Sequence, residues 1–403
     1  MSGTATDPRL APSRQAPKRA LRLSWTDPRF RSIVWQAVVV AVVVGIVGYF
    51  VGNARSNLEA RHIATGFGFL DETSGIPIGE TLIPYLPGTS TYLTALVEGV
   101  LNTLKVAVVG VVLATILGTL IGIGRLSPNW LLARITAVYV EVLRDIPVLL
   151  QLLFWYVLLQ GLPAPRQSMR IGDAVFLSNR GIKVPLLIWQ GAHSWALLGF
   201  VVAIVLSVLW VRHAHRRQDA TGQSPPVLPV VLALLIGLPA IIWAALGAPL
   251  SFDMPQLHGF NFTGGGTITP EYGALLTGLV IYTSSYIAEI VRSGIQAVPH
   301  GQWEAAQALG LHRGKTLRLV VLPQALRVII PPMTSQYLNL TKNSSLAVAI
   351  GYQDIVSIAN TILNQTGQAI EGIAIIMAVY LTISLSISLF MNWYNAHIAL
   401  VER

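Results

Sequence analysis

Two groups of polar residues lie inside long apolar stretches of the chain, and that setting demands a reason for them. A charge at the centre of a bilayer costs roughly 2.5–3.5 kcal/mol on insertion scales. The first group is Tyr282-Thr283-Ser284-Ser285-Tyr286 followed by Glu289. Tyr282, Ser285, Tyr286 and Glu289 recur at helical spacing and share one face. Such a stripe suits a cavity or a helix contact. Glu289 either serves that face or pairs with Arg292 one turn further on. The second group follows Pro331-Pro332 and contains Gln336, Asn339, Thr341, Lys342, Asn343, Ser344 and Ser345. The prolines remove helix hydrogen bonds, and at about 1.5 Å per residue the stretch after them reaches mid-bilayer. Transporters place broken helices at their midplane sites. Alternatively, Lys342 lies in an outer loop between two short re-entrant pieces. Together the groups offer hydroxyls, amides, one cation and one anion, the partners that a small zwitterion needs.

A third stretch, Gly301–Pro323, is polar and basic. Pro299-His300-Gly301 signals a turn. Glu304 to Leu309 is strongly helix-forming, and Gly310 is placed to cap that helix where a positive φ costs least. A second helical piece, Lys315–Val321, runs to Pro323. The alanines of such a short helix let another surface come close, and Glu304 supplies a charge for orientation. An ordinary connecting loop is the plainer alternative. Gly314-Lys315-Thr316 ends like a phosphate-binding loop, but the glycine that motif needs five positions earlier is Leu309, and no strand precedes it. ATP chemistry therefore belongs to another chain, and no cofactor is expected. The eight histidines are dispersed, and no HExxH, no GxSxG and no cysteine is present, so neither a metal site nor a catalytic residue is expected.

These residues must be positioned by membrane-spanning helices. Of 403 residues, 53% are hydrophobic and 11% charged, with mean hydropathy +0.61. A soluble domain carries roughly 25% charge, so an ordinary soluble enzyme is excluded. Apolar runs long enough to span lie at Ser32–Val51, Thr103–Ile123, Val138–Leu162, Trp195–Val211, Val227–Leu246, Tyr272–Val291, near Val328–Ile350 and at Gly372–Met391. A lipid-exposed strand would leave backbone groups unpaired, so the spans are helices. The expected fold is an all-α polytopic bundle of about eight spans with both termini cytoplasmic. Residues 1–31 form a basic tail that keeps the N-terminus inside and touches anionic lipid heads. No cleaved signal peptide is expected. Arg125, Arg134, the Arg212–Arg217 cluster and residues 292–327 then lie inside. Residues 52–95, 163–193, 250–270 and 352–371 lie outside. Arg166, Arg170, Arg180 and Lys183 dissent from the charge bias. Trp35, Trp195 and Trp393 read as interface anchors. No folded basic domain exists to bind nucleic acid.

The spacing of Glu304-Ala305-Ala306, Gly310, Val320 and Leu322-Pro323 resembles the EAA loop of ABC importer permeases. In that family the loop is the coupling helix that inserts into a cleft on the ATPase subunit. Arg144 to Tyr156, Glu289 to Ile295 and Leu340 to Leu346 are similar to signatures of polar amino-acid permeases. The likeness covers roughly 95–160 and 270–395. An extra N-terminal span and the stretch 163–270 depart from the minimal members. They make the chain resemble the larger permease subunit of general L-amino-acid, or glutamate/glutamine/aspartate, importers.

The resemblance implies a type I ABC importer permease bundle in the bacterial inner membrane. It implies ABC ATPase subunits, a second permease, a periplasmic amino-acid-binding protein and L-amino acids as partners, with ATP hydrolysis on a separate subunit. The expected organisation is a tail (1–31), an extra span (32–52) and a periplasmic loop (53–94). Core (95–162), a two-span insertion (163–270), core (271–395) carrying the coupling loop 301–323, and a tail (396–403) follow. Coupling falls to Glu304, Ala305, Ala306, Gly310, Leu322 and Pro323. The substrate pathway falls to Ser285, Tyr286, Glu289, Lys342, Asn343 and Ser344. An ion-coupled secondary carrier and a structural permease subunit without its own substrate site are the competing readings.

Overall fold

The computed structural model describes Trp25 and residues 28–60, 65–172, 174–223 and 225–398. Most of the expected tails, 1–31 and 396–403, lie outside the described residues. The chain divides into two units, Met1–Gly66 and Phe67–Arg403. In the first, α1 (Pro28–Ala60) is apolar around its circumference over residues 33–52, save Gln36, and a Cβ on Gly45, Gly48 or Gly52 would meet nothing within 4 Å. A helix of that kind is a membrane span.

The second unit holds the rest. α2 (Tyr92–Arg125) is 34 residues long, about 50 Å, and starts at Thr91, whose side chain accepts from the Thr94 amide. α3 (Trp130–Asp145) and α4 (Val148–Gln160) follow. α5 (Gly191–Thr221) leads to a span made of α6 (Val227–Leu232), a π turn (Ala233–Gly237) and α7 (Leu238–Ala245). α8 (Pro270–Gln296) is followed by α9 (His300–Ala308), α10 (Arg313–Thr316), a second π turn (Leu317–Val321) and α11 (Leu322–Asn343). A 3-10 segment (Ser344–Ile350), α12 (Ile355–Thr366) and α13 (Ala369–Ile398) close the chain. Among the described residues seven helices are long and apolar enough to span, or eight if α3 and α4 count as one.

α8 is the buried centre of this unit, with α2, α3, α4 and α11 around it. Lipid tails are as apolar as leucine, so such helices associate by close van der Waals contact, which small residues permit. A Cβ on Gly118 of α2 would stand 2.7 Å from Ile287 Cβ and 2.8 Å from the Ser284 carbonyl; one on Gly122 would stand 2.7 Å from the Ala288 carbonyl. α8 is equally bare toward its other neighbours. A Cβ on Gly278 would fall 2.6 Å from Leu152 of α4, and one on Gly294 would fall 2.3 Å from Ile329 of α11.

Three features depart from the sequence expectation. The single span expected over Val138–Leu162 is two helices bent by 104°. Pro147 disfavours helical geometry at the residue before it, and Ile146 is extended at φ −87°, ψ 125°. Pro331 and Pro332 do not break their helix; both lie inside α11, where buried Ile329, Ile330 and Met333 hold it against the bundle.

The third departure lies in 163–270, where the loops flanking the two spans fold into short strands: β1 (Met169–Ile171), β2 (Val175–Ser178), β3 (Gly181–Val184), β4 (Leu186–Leu187), β5 (Phe252–Asp253), β6 (Gln256–His258), β7 (Asn261–Thr263) and β8 (Gly266–Ile268). Antiparallel β1-β2-β3-β8 join both ends of this stretch, with Ile182 opposite Ile268, while β4 pairs β5 and β6 pairs β7. Gly181 has φ +110°, and a Cβ there would fall 2.2 Å from the Ile268 carbonyl. β8 is followed directly by Thr269, which caps α8 by accepting from the Tyr272 amide, so the sheet is fastened to the central helix.

Filling the α2–α8 contact is expected to be costly. Gly118→Leu should lower the melting midpoint of the purified protein by about 5 °C, since overpacking costs about 1–3 kcal/mol. Gly48→Leu on α1 should not move it. An unchanged midpoint for the first variant would contradict the packing described.

Candidate functional site

α9 is a short helix rooted at one end of the bundle. Trp303 packs with Val298, Val321, Ala325 and Ile329 in one apolar cluster, and the Gln324 amide donates to Gln302 Oε1 at 3.2 Å. Its outer face carries exposed Gln302, Glu304, Ala305, Gln307 and Ala308. His300 Nδ1 lies 3.1 Å from Glu304 Oε1. The helix ends at Gly310, φ +75°, where the Leu311 amide returns to the Ala306 carbonyl at 3.1 Å. Glu304 and Ala305 thus face outward, whereas Ala306 is buried on the inner side. Leu322 and Pro323 open the first turn of α11, so the second helical piece continues into a span instead of stopping at the proline. A cleft of about 480 Å³ beside α9 is lined by His300, Trp303, Glu304, Gln307, Arg313 and Leu317. Gly314-Lys315-Thr316 forms no phosphate cradle: it lies in α10, and Thr316 Oγ1 donates to backbone carbonyls of Leu311 and His312.

The stripe on α8 resolves into separate contacts. Tyr282 and Tyr286 hydroxyls lie 3.1 Å apart. Ser285 is fully buried and donates to the Tyr282 carbonyl at 2.6 Å, so its hydroxyl is used within the helix. Glu289 pairs with Arg292, one of the two expectations for it, and also with Arg125 at the end of α2. Beside the stripe, Tyr139 of α3 and Ser284 share a 2.8 Å hydrogen bond, and the Arg144 guanidinium lies 4.9 Å from the Tyr286 ring centre.

The α11 group lies elsewhere along the bundle. Leu340 packs beside Gly110 of α2, whereas Ser284 and Ile287 pack beside Gly118. Eight residues of helix separate these levels, roughly 12 Å. Lys342, Asn343 and Ser344, beyond Leu340, therefore lie nearer the start of α2 than Ser285, Tyr286 and Glu289, while the start of the α11 group lies closer to the stripe: the Tyr337 hydroxyl is 3.0 Å from Thr115 Oγ1. Lys342 is exposed and Asn343 half-buried. Ser344 is buried, donates to the Thr341 carbonyl at 2.7 Å and lies 3.4 Å from the Tyr380 hydroxyl.

Behind Ser344 stands a group that the sequence did not single out. Tyr380 donates to Asp354 Oδ2 at 3.4 Å, and Asp354 caps α12 by accepting from the Ser357 amide at 2.9 Å. Asp354 is fully buried, and burial pushes its carboxyl up to about 7. A second missed cluster sits at the start of α2. Glu98 accepts from the Leu82 and Ile83 amides. Asn102 donates to the Glu80 and Gln353 carbonyls, both at 3.1 Å. Lys105 pairs with Glu80 at 2.5 Å and lies over the Tyr272 ring. Their spacing of four and three residues is a readable helix face, and Arg125 was visible as the end of a span. Their partners, far along the chain, were not visible.

A bundle of apolar helices around one small-residue core, carrying an exposed short helix at one end, defines a polytopic membrane protein. Residues 221–400 match the family described as binding-protein-dependent transport system inner membrane component. The chain is 51% identical over 385 residues, 95% of it and 96% of the relative, to the general L-amino acid transport system permease protein AapQ of Rhizobium johnstonii. It is 43% identical over 430 residues, 98% of it and 100% of the relative, to the glutamate/glutamine/aspartate/asparagine transport system permease protein BztB of Rhodobacter capsulatus. A solved structure of an amino acid ABC transporter with histidines aligns at TM-score 0.45 and 21% identity, covering 76% of this chain and 95% of that one. The chain belongs to this family of inner-membrane transport components: it is a multi-pass permease subunit of the ABC importer kind and not itself a catalyst.

The Asp354 carboxyl should mark stability. Its folded pKa, about 7, lies above its solvated value of 3.8, so its stabilising contribution is full below 3.8 and is lost as pH rises through 7. Melting midpoints of the wild type should fall over that window. Those of Asp354→Asn should change much less. Parallel profiles would contradict the assignment.

Proposed function

We propose that this chain is the larger permease subunit of an ATP-driven importer of L-amino acids. A separate ATPase pair, a second permease and a periplasmic binding protein would complete it. The names of the two relatives, one for general L-amino acids and one for glutamate, glutamine, aspartate and asparagine, support the substrate class. The observation that carries the mechanism is α9: an exposed helix whose inner face is packed into the same cluster as α8 and α11.

In this reading α9 lies on the cytoplasmic side and docks in the ATPase, with Glu304 and Ala305 outward, Ala306 and Gly310 setting its shape, and Leu322 and Pro323 joining it to α11. Closure of the ATPase pair on ATP moves α9, and because α9 shares a core with α8 and α11 those helices move with it as a rigid body. The N-terminal end of α8, with β8 and the 77–83 loop, then faces the periplasm. Both termini lie inside. The pathway runs past Tyr286 and Glu289 on one level and past Lys342, Asn343 and Ser344 on another, with Ser285 buried behind the first. In the same reading the stretches 1–31, 32–52, 53–94, 95–162, 163–270, 271–395 and 396–403 are assigned as tail, extra span, loop, core, insertion, core and tail.

Ala305 is exposed, so a bulky charged side chain there should leave the fold intact and block docking. Ala305→Arg should abolish amino-acid uptake by intact cells and co-purification of the ATPase, with an unchanged melting midpoint. Uptake at the wild-type rate would overturn the proposal.

A further inference from the structure

Arg144 lies in the last turn of α3, just before the 104° bend into α4. The bend is a fixed feature: the Gln151 side-chain amide donates to the Leu143 and Ile146 carbonyls at 2.9 and 3.0 Å, satisfying groups that a straight helix would have used. Arg144 is exposed, and among the described residues it makes no ion pair, although Glu141 and Asp145 are its neighbours in sequence. It differs in this from Arg125 and Arg292, which both hold Glu289 on the same helix face that Arg144 covers. An unpaired guanidinium turned to lipid is costly. Its open side therefore meets water or a ligand.

The seat of this guanidinium defines what it can take. It rests over the Tyr286 ring, 4.9 Å from the centroid, an attraction between cation and π-face. The ring makes no hydrogen bond with the guanidinium, and no carboxylate among the described residues pairs with its N–H groups. The N–H edge of a guanidinium matches a carboxylate with two parallel hydrogen bonds. Next to it, one hydroxyl of the Tyr282–Tyr286 pair donates to the other, leaving one further O–H donor at the half-exposed rim.

We propose that Arg144, seated on Tyr286, binds the α-carboxylate of the transported amino acid. This rests on the amino-acid importer reading. The contact reads the group that all amino acids share, so it suits a permease that passes side chains of different chemistry. A carboxylate side chain of the second permease is the other source of the same chemistry.

The test uses the complete importer in proteoliposomes with its binding protein, and measures uptake of L-glutamine, L-alanine and L-lysine. Arg144→Gln should lower uptake of all three at least tenfold and by similar factors. Arg144→Lys, which keeps the charge but loses the fork, should fall between. Both variants should elute from gel filtration as the intact complex. Uptake within twofold of the wild type, or a defect confined to one amino acid, would overturn the proposal while leaving the importer reading in place. So would loss of the second permease on gel filtration, which would assign the carboxylate to that subunit. A wild-type complex that carries none of the three would overturn both.

Discussion

The contact on which the rest of this structure depends is the near backbone-to-backbone packing of α2 on α8. In lipid there is no hydrophobic drive to bring two apolar helices together. What holds them is how closely their atoms approach, and Gly118 and Gly122 let α2 rest against the carbonyls of Ser284 and Ala288. The same principle recurs at Gly278 against Leu152 and at Gly294 against Ile329. The central helix is thereby clasped on several sides, and the polar residues it carries are held at fixed heights.

A clasped α8 joins two ends of the molecule. At its start, the backbone amide of Thr269 donates to Glu80, whose other oxygen holds Lys105 of α2, and β8 is one residue away. At its other end, Val298 and Trp303 link it to α9 and to the turn that opens α11. Glu289, bridged by Arg125 and Arg292, adds an ionic tie between α2 and α8 near that end. A displacement at α9 therefore has few ways to be absorbed locally, because packed cores switch between arrangements instead of bending continuously. This is the property that the proposed coupling through α9 requires.

Much of this was legible in the chain. Long apolar runs declare their spans by length, and the strongly helix-forming stretch from Glu304 with Gly310 behind it marks the end of α9, although the helix begins earlier, at His300, where the sequence suggested a turn. Other features were present in the sequence but needed a rule weighed differently. Pro147 pushes Ile146 out of helical geometry and marks the bend, yet the surrounding run of leucines reads as one span. Pro331 and Pro332 argue for a break, yet burial of their neighbours keeps α11 whole. The strands of the 163–270 stretch are two to four residues long, too short to establish an alternating pattern. Long-range partners left no local trace: nothing near Glu289 announces Arg125, and nothing near Ser344 announces Asp354. The difference in height between Leu340 and Ser284 follows only from which α2 glycine each packs against.

The central claim is that α8 crosses the membrane between the strand-capped end and α9. Because the chain contains no cysteine, single cysteines can be read without background. Gln307→Cys and Asn261→Cys, each in the assembled importer, should be labelled by a membrane-impermeant maleimide from opposite sides. The first should react in inside-out vesicles and be shielded when the ATPase is bound, and the second should react in intact spheroplasts. Labelling of both from the same side would contradict the claim.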